Sequence, residues 1–239
     1  AVKALHLFYT VKRYQLMSHL TFLSAHRHQL HVIANELYGL SMYDPDVNFT
    51  SILSLPHPDP ERVHFLWGFS KDFGLSGIRV STMYTRHPGL IEYFQQTGIY
   101  IRPTEMAQNR LQHLIDDRDY MDKQALPEIK RRMWTRHQSI KAQIEGCGGR
   151  VHPSPATVFR WLDLSSFLTS PDPQGEQELF DRLYAAGVHL MTGDSLGHPV
   201  SGWFRMVAGL EDDVHSEGMN RLVNELNAIR REQQQQQQQ

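Results

Sequence analysis

The sequence predicts an α/β domain followed by an α+β domain. Three observations carry this reading. "VHFLWGF" (63–69) is an unbroken apolar run, the pattern of a strand buried on both faces. The first half gives the order helix–strand–strand–strand, whereas the second mixes helices with single strands. Between them, roughly 120–145 reads as a long helix with Ile129, Met133, Ile140 and Ile144 on one face and charges on the other. That helix marks the boundary, so the expected divisions are 1–119, 120–232 and a glutamine tail at 233–239.

The elements follow in order. Residues 11–29 place Leu16, Leu20 and Leu23 at helical spacing, and "LHVIANELY" (30–38) reads as a short strand ending at Asn35–Tyr38. Residues 41–60 are polar and carry Pro45, Pro56, Pro58 and Pro60, which predicts loop. After the 63–69 strand, "GIRVSTMYT" (77–85) predicts a second one, and 88–97 and 103–117 predict helices. "GCGGR" (146–150) ends the long helix. "ATVFRWLDL" (156–164) and "GWFRMVAG" (202–209) read as strands, and "EQELFDRLYAAG" (176–187) as a helix with a glycine stop. Residues 214–231 form a last amphipathic helix with Met219, Leu222, Val223, Leu226 and Ile229 on its apolar face. The seven glutamines at 233–239 are expected to be disordered.

Composition limits the function. A formal net charge of −2 points to neither a nucleic-acid nor an anionic-membrane partner. No apolar stretch approaches the roughly 20 residues of a membrane span. A single cysteine, Cys147, excludes a disulfide framework and favours a cytoplasmic location; within "EGCGGR" it reads as a turn residue. The chain opens at Ala1 without a visible signal peptide and reads as a piece or processed form of a longer protein. His26, His28 and His31 sit close in sequence, but without a cysteine or carboxylate at ligand spacing they read as a solvated helix end.

The chemistry concentrates in "GFSKDFGLSGIRVS" (68–81). A lysine at the end of a buried strand is costly as a cation, and desolvation favours the neutral, nucleophilic amine that Schiff-base formation requires. Ser70 beside Lys71 and Arg79 eight residues later can both turn toward one phosphate, where the arginine fork donates paired hydrogen bonds. An amine for an aldehyde with a serine and an arginine for a phosphate is the handling set of pyridoxal phosphate. On spacing alone, a lysine snorkelling from a loop and an arginine on a surface carboxylate account for the same residues.

"SKDFGLSGIRVSTMYT" resembles the cofactor-lysine segment of the class I/II aminotransferase family, and its branch of 1-aminocyclopropane-1-carboxylate synthase-like proteins in particular. "HVIANELYGLSMYD" (31–44), "SPATVFRWLDL" (154–164) and "GWFRMVAG" resemble three further family segments, in the family's order. The resemblance implies the C-terminal part of a fold-type I large cofactor-binding domain with a mixed, mostly parallel sheet, followed by an α+β small domain. It implies pyridoxal 5'-phosphate as cofactor, an α-amino acid as substrate, and a homodimer in the full-length protein. Lys71 takes the role of Schiff-base lysine and acid/base, Ser70 and Arg79 of phosphate ligands, and Tyr38 of donor to the ring oxygen. Arg205 takes the role of clamp on the substrate carboxylate, with an ion pair to an acid such as Asp163 as its structural alternative. Asn35 stands where the family carries the carboxylate beside the ring nitrogen. The serine that precedes Ser-Lys by one residue in many members is Gly68-Phe69 here, and 1–9 lack the family's Asn-Pro loop. The upstream cofactor segments have no counterpart. The expected reaction is transamination or elimination to a cyclopropane amino acid, weakened by these losses, with a non-catalytic cofactor- or partner-binding relative as the alternative.

Overall fold

The computed structural model describes residues 4–7, 22–236 and 238. The chain divides into two compact units, Ala1–Lys130 and Arg131–Gln239.

The first unit holds a four-stranded sheet in the order β1 (Ala4–Leu7), β2 (His31–Asn35), β3 (Val63–Gly68), β4 (Ser81–Tyr84). β1 pairs parallel with β2, β2 parallel with β3, and β3 antiparallel with β4, so the sheet is mixed and mostly parallel as the sequence implied. β1 falls on a stretch without a strand signal. A helix at 22–27 (α1) packs on the sheet through Phe22 and Ala25, beside Val32, Ala34, Ile52 and Val63. The predicted apolar face is therefore corrected: Leu23 is 55 % exposed, and Leu16 and Leu20 lie outside the described residues. Val32 and Ala34 alternate with half-buried or exposed neighbours along β2, which fixes the face that meets the core.

Two strand boundaries differ from expectation for local reasons. β3 stops at Gly68 because Phe69–Asp72 turns into a short helix (α2). Its burial is also uneven, with Phe65–Trp67 only half-buried. β4 starts at Ser81 rather than residue 77. Ser76–Ile78 forms a 3-10 turn, and Arg79 caps it in the left-handed region, φ 58° and ψ 41°, which an extended strand cannot contain.

Helices α3 (Pro88–Ile101) and α4 (Glu105–Asp116) begin at His87 and Thr104, whose side chains accept from Leu90 N–H at 3.2 Å and Ala107 N–H at 3.3 Å. The predicted long helix is broken at its start. A short turn, α5 (Arg118–Tyr120), leads into a π-helical stretch, Met121–Ala125, before α6 (Leu126–Cys147). Pro127 has no N–H to donate, and Leu126 N–H reaches back five residues to Met121 O.

In the second unit β5 (Arg150–Val151), β6 (Phe159–Asp163), β8 (Trp203–Val207) and β7 (Met191–Thr192) form an all-antiparallel sheet in that order. α7 (Pro173–Ala185) and α8 (Asp212–Gln236) complete the unit. Ile140 and Ile144 of α6 meet Leu162, Phe204, Leu183, Leu222 and Leu226 in one apolar cluster. Fully burying each such side chain stabilises the unit by roughly 1.5–3 kcal/mol. Cys147 ends α6 as a buried member of this cluster rather than a turn residue; the turn falls on Gly148, φ 95°. Burial pushes the Cys147 thiol up. Gly202 is obligatory before β8: its φ is 95°, and a Cβ would sit 2.6 Å from Ser165 Cα. The glutamine tail is corrected too. α8 runs through Gln236, and Gln233 donates to Ser166 O at 3.2 Å; glutamine is a good helix former and simply extends the helix.

Candidate functional site

Three segments of the first unit converge on one edge of its sheet. β2 and β3 are parallel and end together, with Asn35 opposite Leu66 in register. The turn at 36–41 follows the first and α2 follows the second. β4 runs the other way, with Ser81 opposite Gly68, so Arg79 enters from the same edge. Asn35, Tyr38, Ser70, Lys71 and Arg79 thus all lie at or just beyond the carboxyl ends of adjacent parallel strands, where open α/β sheets bind ligands.

Each side chain has its own setting. Ser70 and Lys71 are half-buried on α2, one turn past the strand, so Lys71 is not at the strand's inner end as the apolar run suggested. Gly68 is the N-cap; a side chain there would press on Val80 O and Ser81 Cβ, both 3.1 Å from an added Cβ. Tyr38 is half-buried, and its carbonyl accepts from Ser41 N–H at 3.1 Å. Arg79 is exposed, donates to Ser76 O at 3.2 Å, and makes no ion pair among the described residues.

Asn35 is exposed at the strand end, and its side-chain oxygen accepts from Leu37 N–H at 3.3 Å. Its neighbour Glu36 turns to the opposite face. It is 4 % exposed and accepts from Ile52 N–H at 2.6 Å. Burial pushes the Glu36 carboxyl up, and the Ile52 and Ser51 hydrogen bonds oppose that shift. Glu36 is committed to the 51–52 turn and does not stand in for a carboxylate at position 35.

Asp72 is the residue that sequence reasoning missed. It is 2 % exposed. Its carboxylate accepts from Trp67 Nε1 at 2.7 Å, from Leu40 N–H at 3.1 Å, and from the Ser41 hydroxyl. Burial pushes the carboxyl up, and these donors work against that shift. The signal was present in "Ser-Lys-Asp", an acid placed directly after the candidate lysine.

Arg205 belongs to the second unit. It lies on β8 opposite Trp161 and Met191. Its guanidinium sits 4.6 Å from the centre of the Phe159 ring and touches the Met191 sulfur. Its Nε is buried without a hydrogen-bond partner among the described residues. The alternative ion pair with Asp163 is overturned, because Asp163 is taken by Arg150, at 3.0 Å from Nε and 2.5 Å from Nη2.

The reading of the histidines as a solvated helix end holds for His26 and His28 and is corrected for His31. His26, in the last turn of α1, and His28, just past it, are exposed, but His31 lies in β2 and its Nδ1 is 2.8 Å from His64 Nε2. His87 packs against both rings. Burial and the neighbouring His31 and His87 lower the His64 pKa to about 4. Among the described residues no group of histidines, cysteines and carboxylates has metal-holding geometry.

The sequence of this unit and the next matches the family model for aminotransferase class I and II over residues 18–222. The chain belongs to that family. Among curated relatives, 1-aminocyclopropane-1-carboxylate synthase-like protein 1 of Takifugu rubripes is 34 % identical over 203 residues, covering 84 % of this chain and 33 % of the relative. A human protein named "Probable inactive 1-aminocyclopropane-1-carboxylate synthase-like protein 2" is 31 % identical over 193 residues, covering 80 % of this chain and 34 % of that protein. Among solved structures, an aromatic aminotransferase from Pyrococcus horikoshii superposes with a TM-score of 0.76 at 20 % identity, over 89 % of this chain and 55 % of the other. An aspartate aminotransferase from Thermotoga maritima gives 0.73 at 19 %, over 94 % and 56 %. The fold is that of fold-type I aminotransferases. The chain spans about a third of these curated relatives and a little over half of these solved chains. Among the described residues no helix is long and apolar enough to cross a membrane.

Proposed function

We propose that this family member binds pyridoxal 5'-phosphate through Lys71 and acts on an α-amino acid. The observation that carries the proposal is the convergence of Tyr38, Ser70, Lys71 and Arg79 on one sheet edge. The donor set fits the group: an amine for a carbonyl, a hydroxyl and a guanidinium with no ion pair among the described residues for a dianionic phosphate, and a phenol for a ring oxygen. Bound pyridoxal phosphate would supply a carbonyl that condenses with amines and a ring that accepts electrons from the substrate α-carbon.

The residues would divide the work. Arg79 and the Ser70 hydroxyl hold the phosphate. Tyr38 donates to the ring oxygen and fixes the ring's rotation. Lys71 Nζ anchors the carbonyl carbon and, once displaced by substrate, takes the proton from the α-carbon. Arg205, whose Nε has no hydrogen-bond partner among the described residues, would take the substrate carboxylate. Transamination and elimination both begin with that proton transfer. The functional protein is expected to be a cytoplasmic homodimer.

A second reading is favoured by Asn35. The position is neutral, its amide oxygen already accepts from Leu37 N–H, and Glu36 is engaged elsewhere. Without a carboxylate the ring nitrogen is not held protonated. This favours a slow enzyme, or a non-catalytic relative that keeps cofactor or partner binding.

Titration with pyridoxal phosphate under a visible absorption scan tests the main reading. A saturable band that Lys71→Ala abolishes supports it; no band, or one that survives in Lys71→Ala, contradicts it. With the band present, turnover of amino acids separates enzyme from binder.

A further inference from the structure

The geometry points to Asp72 as a positioning residue: its carboxylate clamps the Tyr38–Ser41 turn to the helical turn that carries Lys71. The inference rests on the cofactor reading only where it concerns Lys71 and Tyr38 acting together; the clamp itself rests on the hydrogen bonds. Leu40 and Ser41 lie 32 and 31 residues before Asp72 in sequence, yet Leu40 N–H and the Ser41 hydroxyl both donate to its carboxylate. Trp67 Nε1, from β3, donates to the same oxygen as Leu40. One side chain thus joins the end of β3, α2 and the turn after β2. Tyr38 is two residues from one end of the clamp, Ser70 and Lys71 next to the other.

All three donors are neutral, so a charge is not required at the centre. An asparagine can take the same place: its amide oxygen accepts from Leu40 N–H and Trp67 Nε1, and its NH2 donates to Ser41 Oγ, a hydroxyl that can accept instead. An alanine can do none of this and leaves three donors without their acceptor at a position where Asp72 is 2 % exposed. The clamp therefore predicts a specific ordering of variants. Asp72→Asn keeps the geometry without the charge, and Asp72→Ala loses both.

Two chemistries on Lys71 separate the clamp from the cofactor reading. The intact chain and both variants are treated with succinimidyl acetate, and acetylation of Lys71 is followed by peptide mass spectrometry against Lys123 and Lys141 as internal references. In parallel they receive pyridoxal phosphate followed by borohydride. Hydrogen exchange at the Leu40 amide reports on the clamp directly. With the clamp lost, Asp72→Ala should acetylate Lys71 at least threefold faster, because the half-buried amine is released. Its reduction-trapped pyridoxal phosphate on Lys71 should fall at least tenfold, because the amine is no longer set against its partners. Leu40 protection should fall as well, and Asp72→Asn should restore all three to within about threefold of the native chain. Native-like exchange and acetylation in a folded Asp72→Ala would overturn the clamp. So would an Asp72→Asn that behaves as Asp72→Ala, since charge rather than geometry would then be at work. If the native chain takes no pyridoxal phosphate on Lys71 while acetylation and exchange follow the stated order, the cofactor reading fails and the clamp stands. If Asp72→Ala fails to fold, Ser41→Ala, which removes one donor from the clamp, should give smaller changes of the same sign. An unchanged Ser41→Ala overturns the clamp.

Discussion

Arg79 and Arg205 have separate work on the proposed reading, and single substitutions tell them apart. Arg79 has no carboxylate partner among the described residues and is exposed. Its pairing with a phosphate sits at the low end of charge-assisted hydrogen bonds, about 1.5 kcal/mol, or roughly tenfold in affinity. Arg79→Ala should weaken pyridoxal phosphate binding by that factor, and Arg205→Ala should leave it unchanged while raising the amino-acid concentration needed to perturb the bound spectrum. The reverse pattern contradicts the assignment. Asn35 makes a second, independent prediction. Asn35→Asp places a negative charge at the ring-nitrogen position, which favours the protonated ring and its uptake of electrons. Deuterium entry at the substrate α-carbon, at saturating cofactor, should be faster in Asn35→Asp than in the native chain. Equal rates would show that the missing charge is not what limits the site. The residue types at 35, 38, 70, 71 and 79 were readable from sequence because they occur in short strings. Asp72 stands in the same string, but its role was not legible, because its partners Leu40 and Ser41 meet it only through the parallel pairing of β2 with β3.

At the scale of elements, the pairing of β2 and β3 also builds the histidine cluster, and this gives stability a pH dependence. His64 is 3 % exposed, bonded to His31 and to Thr85 Oγ1 at 2.8 Å each. His87, Arg62 and Asp59 are the other charged or titratable groups that act on the pair. With its pKa held at about 4, His64 stays neutral in the fold, while the unfolded chain takes up a proton near 6.5. Stability from this group is complete above about pH 6.5 and lost as pH falls toward 4, by an amount on the order of 3 kcal/mol. Glu36 and Asp72 act in the opposite sense, since burial raises both. Their protonation in the fold favours it as pH drops below their folded values. Urea unfolding of the native chain and His64→Gln between pH 7 and 4.5 isolates the histidine. The native curve should fall more steeply, and parallel curves would contradict the cluster's role. Strand positions were legible because apolar runs mark them, as in 63–68. Their ends were less so: an arginine in the left-handed conformation at 79 and the π-helical start of α6 before Pro127 are set by packing and missing donors rather than by propensity. His31 was misread for the same reason, since its partner is 33 residues away.

For the whole molecule, the two units carry separate cores. The cluster around Ile140, Leu162, Phe204 and Leu226 lies wholly within Arg131–Gln239. Residues 126–239 expressed alone, with α6 intact, should unfold in one cooperative thermal transition by circular dichroism; a gradual, featureless melt would contradict that independence. The division into an α/β and an α+β part was legible because the two halves differ in how helices and strands alternate. The first strand was not, because "ALHL" gives no alternation or apolar run that separates it from loop. The central claim is that Lys71 is the amine that holds the cofactor. Borohydride reduction of the native chain after addition of pyridoxal phosphate, followed by peptide mapping, tests it most directly. The account predicts a single phosphopyridoxyl label on Lys71, and a label spread over Lys123, Lys130 and Lys141 with none on Lys71 would contradict it.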